Sequence, residues 1–197
     1  MERLKSICGP TAEEVWQKFG NQFNGKISFN GNKGHRIEFE YKCWKIIFDH
    51  YTIKVLDSSI TYTIVRSKFI NNHNFKFKLI TKNNLNSIGQ DLNLEKFTSE
   101  NNHLNEKYII TTNNGNIMNE ILNEDNIINI IDSQYNIYLE IRNYDKTCDM
   151  NSDQNISEIY FRKSGIIKDF QQLKDLYTLY CNLLDKLVDI NITNILL

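Results

Sequence analysis

The feature that most constrains the fold lies near the C-terminal end of the chain. Phe170, Leu173, Leu176, Tyr177, Tyr180, Leu183, Leu184, Leu187 and Val188 recur at the alternating three- and four-residue spacing that places side chains on one face of an α-helix. Lys168, Lys174, Asp175, Asp185 and Lys186 occupy the other face. The spacing predicts a helix from about Asp169 to Asp189, which at 1.5 Å per residue spans roughly 30 Å. A stripe of that length has to be covered by an apolar surface of matching extent.

The middle of the chain supplies such a surface. Between Gly25 and Lys82 the apolar period changes to two, the signal of half-buried strands. Ile37, Phe39 and Tyr41 alternate with charged residues, Trp44, Ile46 and Phe48 follow, then Ile53 and Val55. Asp57-Ser58-Ser59 reads as a turn before Ile60, Tyr62 and Ile64, and Asn71-Asn72-His73-Asn74 as a turn before Phe75, Phe77 and Leu79. Short connections between consecutive strands predict an antiparallel meander. Strands are also expected at Lys107 to Thr112, Tyr135 to Asn143 and Glu158 to Ser164, with short helical stretches around Ile117 to Leu122 and Ile127 to Ile131. Asn83 to Asn105 and Tyr144 to Asn155 read as polar loops, the first with a short turn at Leu85 to Ile88.

At the other end, Thr11-Ala-Glu-Glu14 forms a capping box, in which the Thr11 hydroxyl accepts from the Glu14 amide while the Glu14 carboxylate reaches back. Val15, Trp16, Phe19 and Phe23 follow at helical spacing, so a helix from Ala12 to about Gln22 is expected. The resulting fold class is α+β. About seven mainly antiparallel strands form a curved sheet packed on the long C-terminal helix, with a short N-terminal helix and one or two small ones. No repeat or low-complexity linker divides residues 1–197, which reads as a single domain.

Composition narrows the function classes. The 41% hydrophobic and 24% charged content is that of a globular chain. Asn, Ile and Lys are abundant while Pro10 and Ala12 are single, a bias of AT-rich coding, so the glycosylation-like Asn155-Ile156-Ser157 and Asn191-Ile192-Thr193 are read as chance. Met1 to Pro10 has no signal-like apolar run, and no run of about 18 apolar residues occurs anywhere, so a cytoplasmic protein that does not span a membrane is expected. Cys8, Cys43, Cys148 and Cys181 are too scattered for a zinc or redox motif and are expected to be reduced thiols. The net charge of −1 argues against a dedicated nucleic-acid binder. That charge is unevenly spread. Met1 to Lys82 holds 14 Lys and Arg against 7 Asp and Glu, whereas the remainder holds 9 against 17. Interleaved elements could mix these charges over the surface, or a face of one sign could be offered to a partner.

Motifs for catalysis are weak. His35, His50, His73 and His103 form no metal-ligand pair. Asp49 and His50, with Ser58 and Ser59 nearby, suggest a triad on paper, but adjacent strand residues point to opposite faces and cannot orient each other. Gly31-Asn32-Lys33-Gly34 lacks the ending and context of a phosphate loop and reads as a hairpin turn. Glu38 and Glu40 share a strand face and read as its solvated side. Trp44, Phe48, Phe75, Phe77, Tyr160, Phe161, Tyr177 and Tyr180 fit either a packed core or the lining of an apolar cavity beneath the long helix.

The run Glu14-Val15-Trp16-Gln17-Lys18-Phe19, the Tyr51-Thr52-Ile53 and Thr61-Tyr62-Thr63 strands, Gln90-Asp91-Leu92, and Gly165-Ile166-Ile167-Lys168-Asp169 together resemble a group of small soluble single-domain proteins of Bacteroidetes with no assigned activity. The resemblance spans nearly the whole chain, supports the single-domain reading and implies no catalytic residue. The expectation is therefore a non-enzymatic protein-interaction module, for instance an immunity or inhibitor protein that neutralises a toxin by binding it. A protein partner would be met through the acidic residues Glu95, Glu100, Glu106, Asp145, Asp149 and Asp153. The alternative is a helix-grip carrier of a small apolar ligand, held in a cavity between the sheet and the C-terminal helix. No cofactor or metal is called for, and the oligomeric state is open.

Overall fold

The computed structural model describes residues 9–29, 34–55, 58–83, 93–144 and 155–194. The capping box forms as expected: Thr11 Oγ1 accepts from the Glu14 amide at 3.2 Å, and the Thr11 amide donates to Glu14 Oε2 at 2.9 Å. It opens α1 (Ala12–Gln22), which buries Val15, Trp16 and Phe19. Four strands follow: β1 (Lys26–Phe29), β2 (His35–Tyr41), β3 (Trp44–Val55) and β4 (Ser58–Ile70). After β5 (Phe77–Thr81) and β6 (Glu95–Phe97) come α2 (Asn102–Lys107), β7 (Tyr108–Thr112), α3 (Gly115–Leu122) and α4 (Asp125–Ser133). The last elements are β8 (Tyr138–Asn143), β9 (Ile156–Ser164) and α5 (Phe170–Asp189).

All of these strands join one open nine-stranded antiparallel sheet in the order β1-β2-β3-β4-β9-β8-β5-β7-β6. The count is nine rather than about seven, because the short β1 and β6 carry too few residues to show a period. The meander holds only through β4. The β8–β9 hairpin is inserted between β4 and β5, so these sequence neighbours never pair. Asn71 stands where the chain leaves β4. It is fully buried, donates through Nδ2 to the Phe75 carbonyl and to Ser157 Oγ, and accepts from the Phe75 amide at 3.0 Å. Several boundaries also differ. Ser58 and Ser59 pair with Val55 and Lys54 instead of forming the turn, and the expected loop Asn83 to Asn105 contains β6 and the start of α2. The turn at residues 85–88 and most of the loop at 144–155 lie outside the described residues.

The helix predicted from Asp169 appears with Asp169 as its N-cap, its carboxylate accepting from the Gln172 amide at 2.9 Å. Leu173, Leu176, Leu179, Leu184 and Leu187 are all 0% exposed. They meet Phe39, Phe48, Val65, Leu139, Ile159 and Phe161 of the inner sheet face in the main core. Tyr180 is held by a hydrogen bond from its hydroxyl to the Val65 carbonyl, which satisfies a phenol that full burial would otherwise penalise. The Trp16 indole, likewise buried, donates to the Ile167 carbonyl at 2.9 Å and ties α1 to the segment preceding α5. That segment turns at Gly165, whose φ of +85° favours glycine, and it is fixed by Thr63, whose hydroxyl donates to the Gly165 carbonyl and accepts from the Ile167 amide. Among the described residues, no helix is long and apolar enough to cross a membrane.

Candidate functional site

All five described helices contribute to the core on one side of the sheet. The other face is uncovered by any described helix, and its side chains alternate with the core residues along every strand. On it lies a small second apolar cluster of Ile64, Ile80, Tyr138 and Tyr160, with Tyr51 and Tyr62 packed against it. Register explains this arrangement. Tyr51 faces Tyr62 and Ile53 faces Ile60 across β3 and β4, while Tyr138 lies opposite Ile80 and Arg162 across its neighbours. Beyond the sheet body, β3 and β4 continue as an arm on which Ile53 and Ile60 remain 40% and 41% exposed. An antiparallel arm that keeps paired apolar residues in solvent is unusual enough to call for a reason.

Arginines flank this strip. The Arg142 guanidinium lies 3.7 Å from the Tyr160 ring centre, donates to Glu158 Oε1 through Nε at 2.8 Å and reaches Glu140 Oε1 at 3.2 Å. Arg162 lies 4.7 Å from the Tyr138 ring and 5.2 Å from that of Tyr62. Arg66 bonds Asp49 at 2.7 Å and Arg36 bonds Glu38 at 2.8 Å. The carboxylates of Glu140 and Glu158 are only 8% and 6% exposed, so these bonds are what make their burial tolerable. Burial raises the Tyr138 phenol well above its ordinary value, helped by the adjacent Glu140 that its hydroxyl bonds at 3.0 Å, and burial also lifts Tyr160 to about 12. Both rings therefore stay neutral, Tyr138 as a hydrogen-bond donor and both as stacking surfaces. For Arg142, burial opposes the charge, but its bond to Glu158 and the surrounding carboxylates outweigh that and raise the pKa.

The charge asymmetry of the chain takes a spatial form here. The described strands carry 11 Lys and Arg against 6 Asp and Glu, while the described helices carry 4 against 9. Because the inner sheet face is apolar core, the basic excess of the strands falls largely on the open face. Some charges do pair between the halves, as in Lys42 with Asp185 at 2.6 Å and Lys78 with Glu140 at 3.8 Å.

Three of the six acidic candidates lie among the described residues, on neighbouring elements. Glu95 sits on the edge strand β6, Glu106 is on α2 and Glu100 is in the connection between them; all three are exposed. On a three-residue edge strand, a charge such as Glu95 also guards against pairing with another chain. Asp145, Asp149 and Asp153 lie outside the described residues, as do Gly31 to Lys33, Cys8 and Cys148. Cys43 and Cys181 are free thiols.

Asp49 and His50 do point to opposite faces. Asp49 binds Arg66, whereas His50 packs edge-on against Trp16 at 5.3 Å and accepts from the His35 amide at 3.2 Å. Burial, followed by the nearby His35, lowers the His50 pKa, with Asp49 opposing. Exposed His103 bonds Asp132, which also binds Lys107 at 2.7 Å. Among the described residues, no group of three or more His, Cys, Asp or Glu side chains is placed to hold a metal ion. Of the aromatic set considered for a cavity, Tyr160 belongs to the open face, while Phe48, Phe75, Phe77, Phe161 and Tyr180 are at most 1% exposed. Such values leave no water-sized space beside these side chains, and the carrier reading gains no support from this interface.

The comparisons with known proteins return nothing: no protein-family model, no curated protein and no solved structure matches the chain.

Proposed function

We propose that the protein is a non-catalytic interaction module that docks a protein partner on the open sheet face, centred on the β3–β4 arm. Inhibition or immunity by occlusion of a toxin is the activity such a module would serve. The observation that carries the reading is the exposed Ile53 and Ile60 pair, continuous through Tyr51 and Tyr62 with the arginine-flanked tyrosine cluster. Tyr and Arg are the residues that dominate binding hot spots, because each combines a large contact area with a polar end. The basic excess of the strands fits a partner with an acidic patch, which it would steer into place. On this reading the contact is the arm and sheet face, and Glu95, Glu100 and Glu106 are the competing placement.

The test is affinity capture from the native host with the wild-type protein, with Ile60→Asp, and with a variant carrying Glu95→Lys, Glu100→Lys and Glu106→Lys. A partner retained by the wild type and by the lysine variant but lost with Ile60→Asp is the expected result. Loss with the lysine variant alone would return the contact to the acidic residues, and equal retention by all three would sink both placements.

A further inference from the structure

At the end of the open face away from the arm, β2, β3 and β4 form a recess of about 490 Å³. Ile47 floors it, and Arg36, Lys45, Arg66, Lys68 and Tyr144 surround it. Arg36 and Arg66 also line a neighbouring recess of about 350 Å³ that includes Asp49, His50 and Tyr160. The two arginines are each matched by one carboxylate, Glu38 and Asp49.

The lysines are not matched among the described residues. Lys45 and Lys68 lie one position beyond the Ile46↔Ser67 pair of β3 and β4, so two like charges stand side by side on adjacent strands. Such a pair opposes sheet formation unless something neutralises it. Each lysine has a carboxylate in register and bonds neither. Lys45 faces Glu40 without an ion pair, and Lys68 faces Glu158, which is committed to Arg142. The Lys68 ammonium lies instead 3.5 Å from the centre of the Tyr144 ring. Arg66 adds an unused donor, since its Nε is buried and bonds no acceptor among the described residues. A guanidinium donor left unpaired in this way is costly.

We propose that this recess binds the phosphate group of a small phosphorylated molecule. Among the described residues its four cations outnumber the two matched carboxylates and the Glu40 that faces Lys45 by one. A phosphate monoester brings negative charge to this positive recess at neutral pH, and it offers three strong acceptor oxygens. Arg66 adds the charge of its guanidinium, and Lys45 and Lys68 supply adaptable hydrogen bonds. The volume lies within the roughly 300 to 1,000 Å³ of small-molecule sites, which leaves room for an organic portion against Ile47 and Tyr144. Phosphate binding here stands on this geometry alone and does not depend on the docking of a protein on the arm.

Calorimetric titration with glycerol phosphate and with inorganic phosphate, at constant ionic strength and with chloride as the competing anion, tests it. Both lysines are exposed, so Lys45→Met and Lys68→Met should fold normally, and Lys54→Met on the arm controls for loss of general positive charge. The expected result is saturable binding of both phosphates by the wild type and by Lys54→Met. Binding should weaken about tenfold or more in each recess variant, the loss that follows removal of one hydrogen bond to a charged group. Absence of saturable binding by the wild type overturns the proposal. So does binding that Lys45→Met and Lys68→Met leave unchanged, or that Lys54→Met weakens equally. Ile60→Asp should leave phosphate binding intact, so failure here and failure of the docking reading are separable.

Discussion

His50 shows how a single side chain can make the fold pH-sensitive. It is half-buried between Trp16 and the backbone of His35, and its pKa lies below the ordinary 6.5. A lowered pKa means that the folded state prefers the neutral ring. As pH falls below about 6.5 the unfolded chain protonates first, so stability falls through the window between that value and the lower folded one. Above the window the full stability is present. Denaturant melts at pH 7 and pH 5 should show a smaller stability loss for His50→Phe than for the wild type; an equal loss would place the sensitivity elsewhere. Gly34 depends on the same ring. Its φ is +76°, and a Cβ there would collide with His50 Cε1, so Gly34→Ala should destabilise both by strain and by displacing the imidazole. Gly165 shares the positive φ, but nothing lies within 4 Å of the position its added methyl would take, so Gly165→Ala should cost only about 1 to 2 kcal/mol, from backbone strain. A denaturation series in which Gly165→Ala proved the worse of the two would contradict this ordering.

Among elements, α5 is where stability is concentrated. Leu183 is 1% exposed at the centre of its buried stripe, and Leu183→Ala should cost about 2 to 5 kcal/mol in equilibrium unfolding. A change near zero would mean the stripe is not core. Both α1 and α5 were legible in the sequence because their information is local: a capping box, and an apolar period long enough to be unambiguous. The strands β2, β3, β4, β5, β7, β8 and β9 were legible. What could not be read was order. Pairing of β4 with β9 and of β5 with β8 depends on contacts far apart in the chain, and the sign that the meander ends, a buried Asn71, looks in sequence like an ordinary turn residue. The candidate site was hidden for a related reason. Tyr51, Tyr62, Tyr138 and Tyr160 alternate like any half-buried strand residues, and only the register collects them, with Arg66, Arg142 and Arg162, on one face.

At the scale of the molecule, the proposed function gives the two faces of the sheet different tasks. The inner one meets the helices in the main core, and the outer one holds a network of tyrosines, arginines and carboxylates bordered by an exposed apolar arm. Stability and binding should therefore respond to different substitutions. Once capture identifies a partner, paired measurements of unfolding free energy and partner affinity on Leu183→Ala and on Ile60→Ser test this division most directly. Leu183→Ala should lower stability while the folded fraction binds normally. Ile60→Ser, at a residue already 41% exposed, should keep stability within about 0.5 kcal/mol but weaken binding about tenfold or more. Undiminished affinity in Ile60→Ser would contradict a partner surface on the arm.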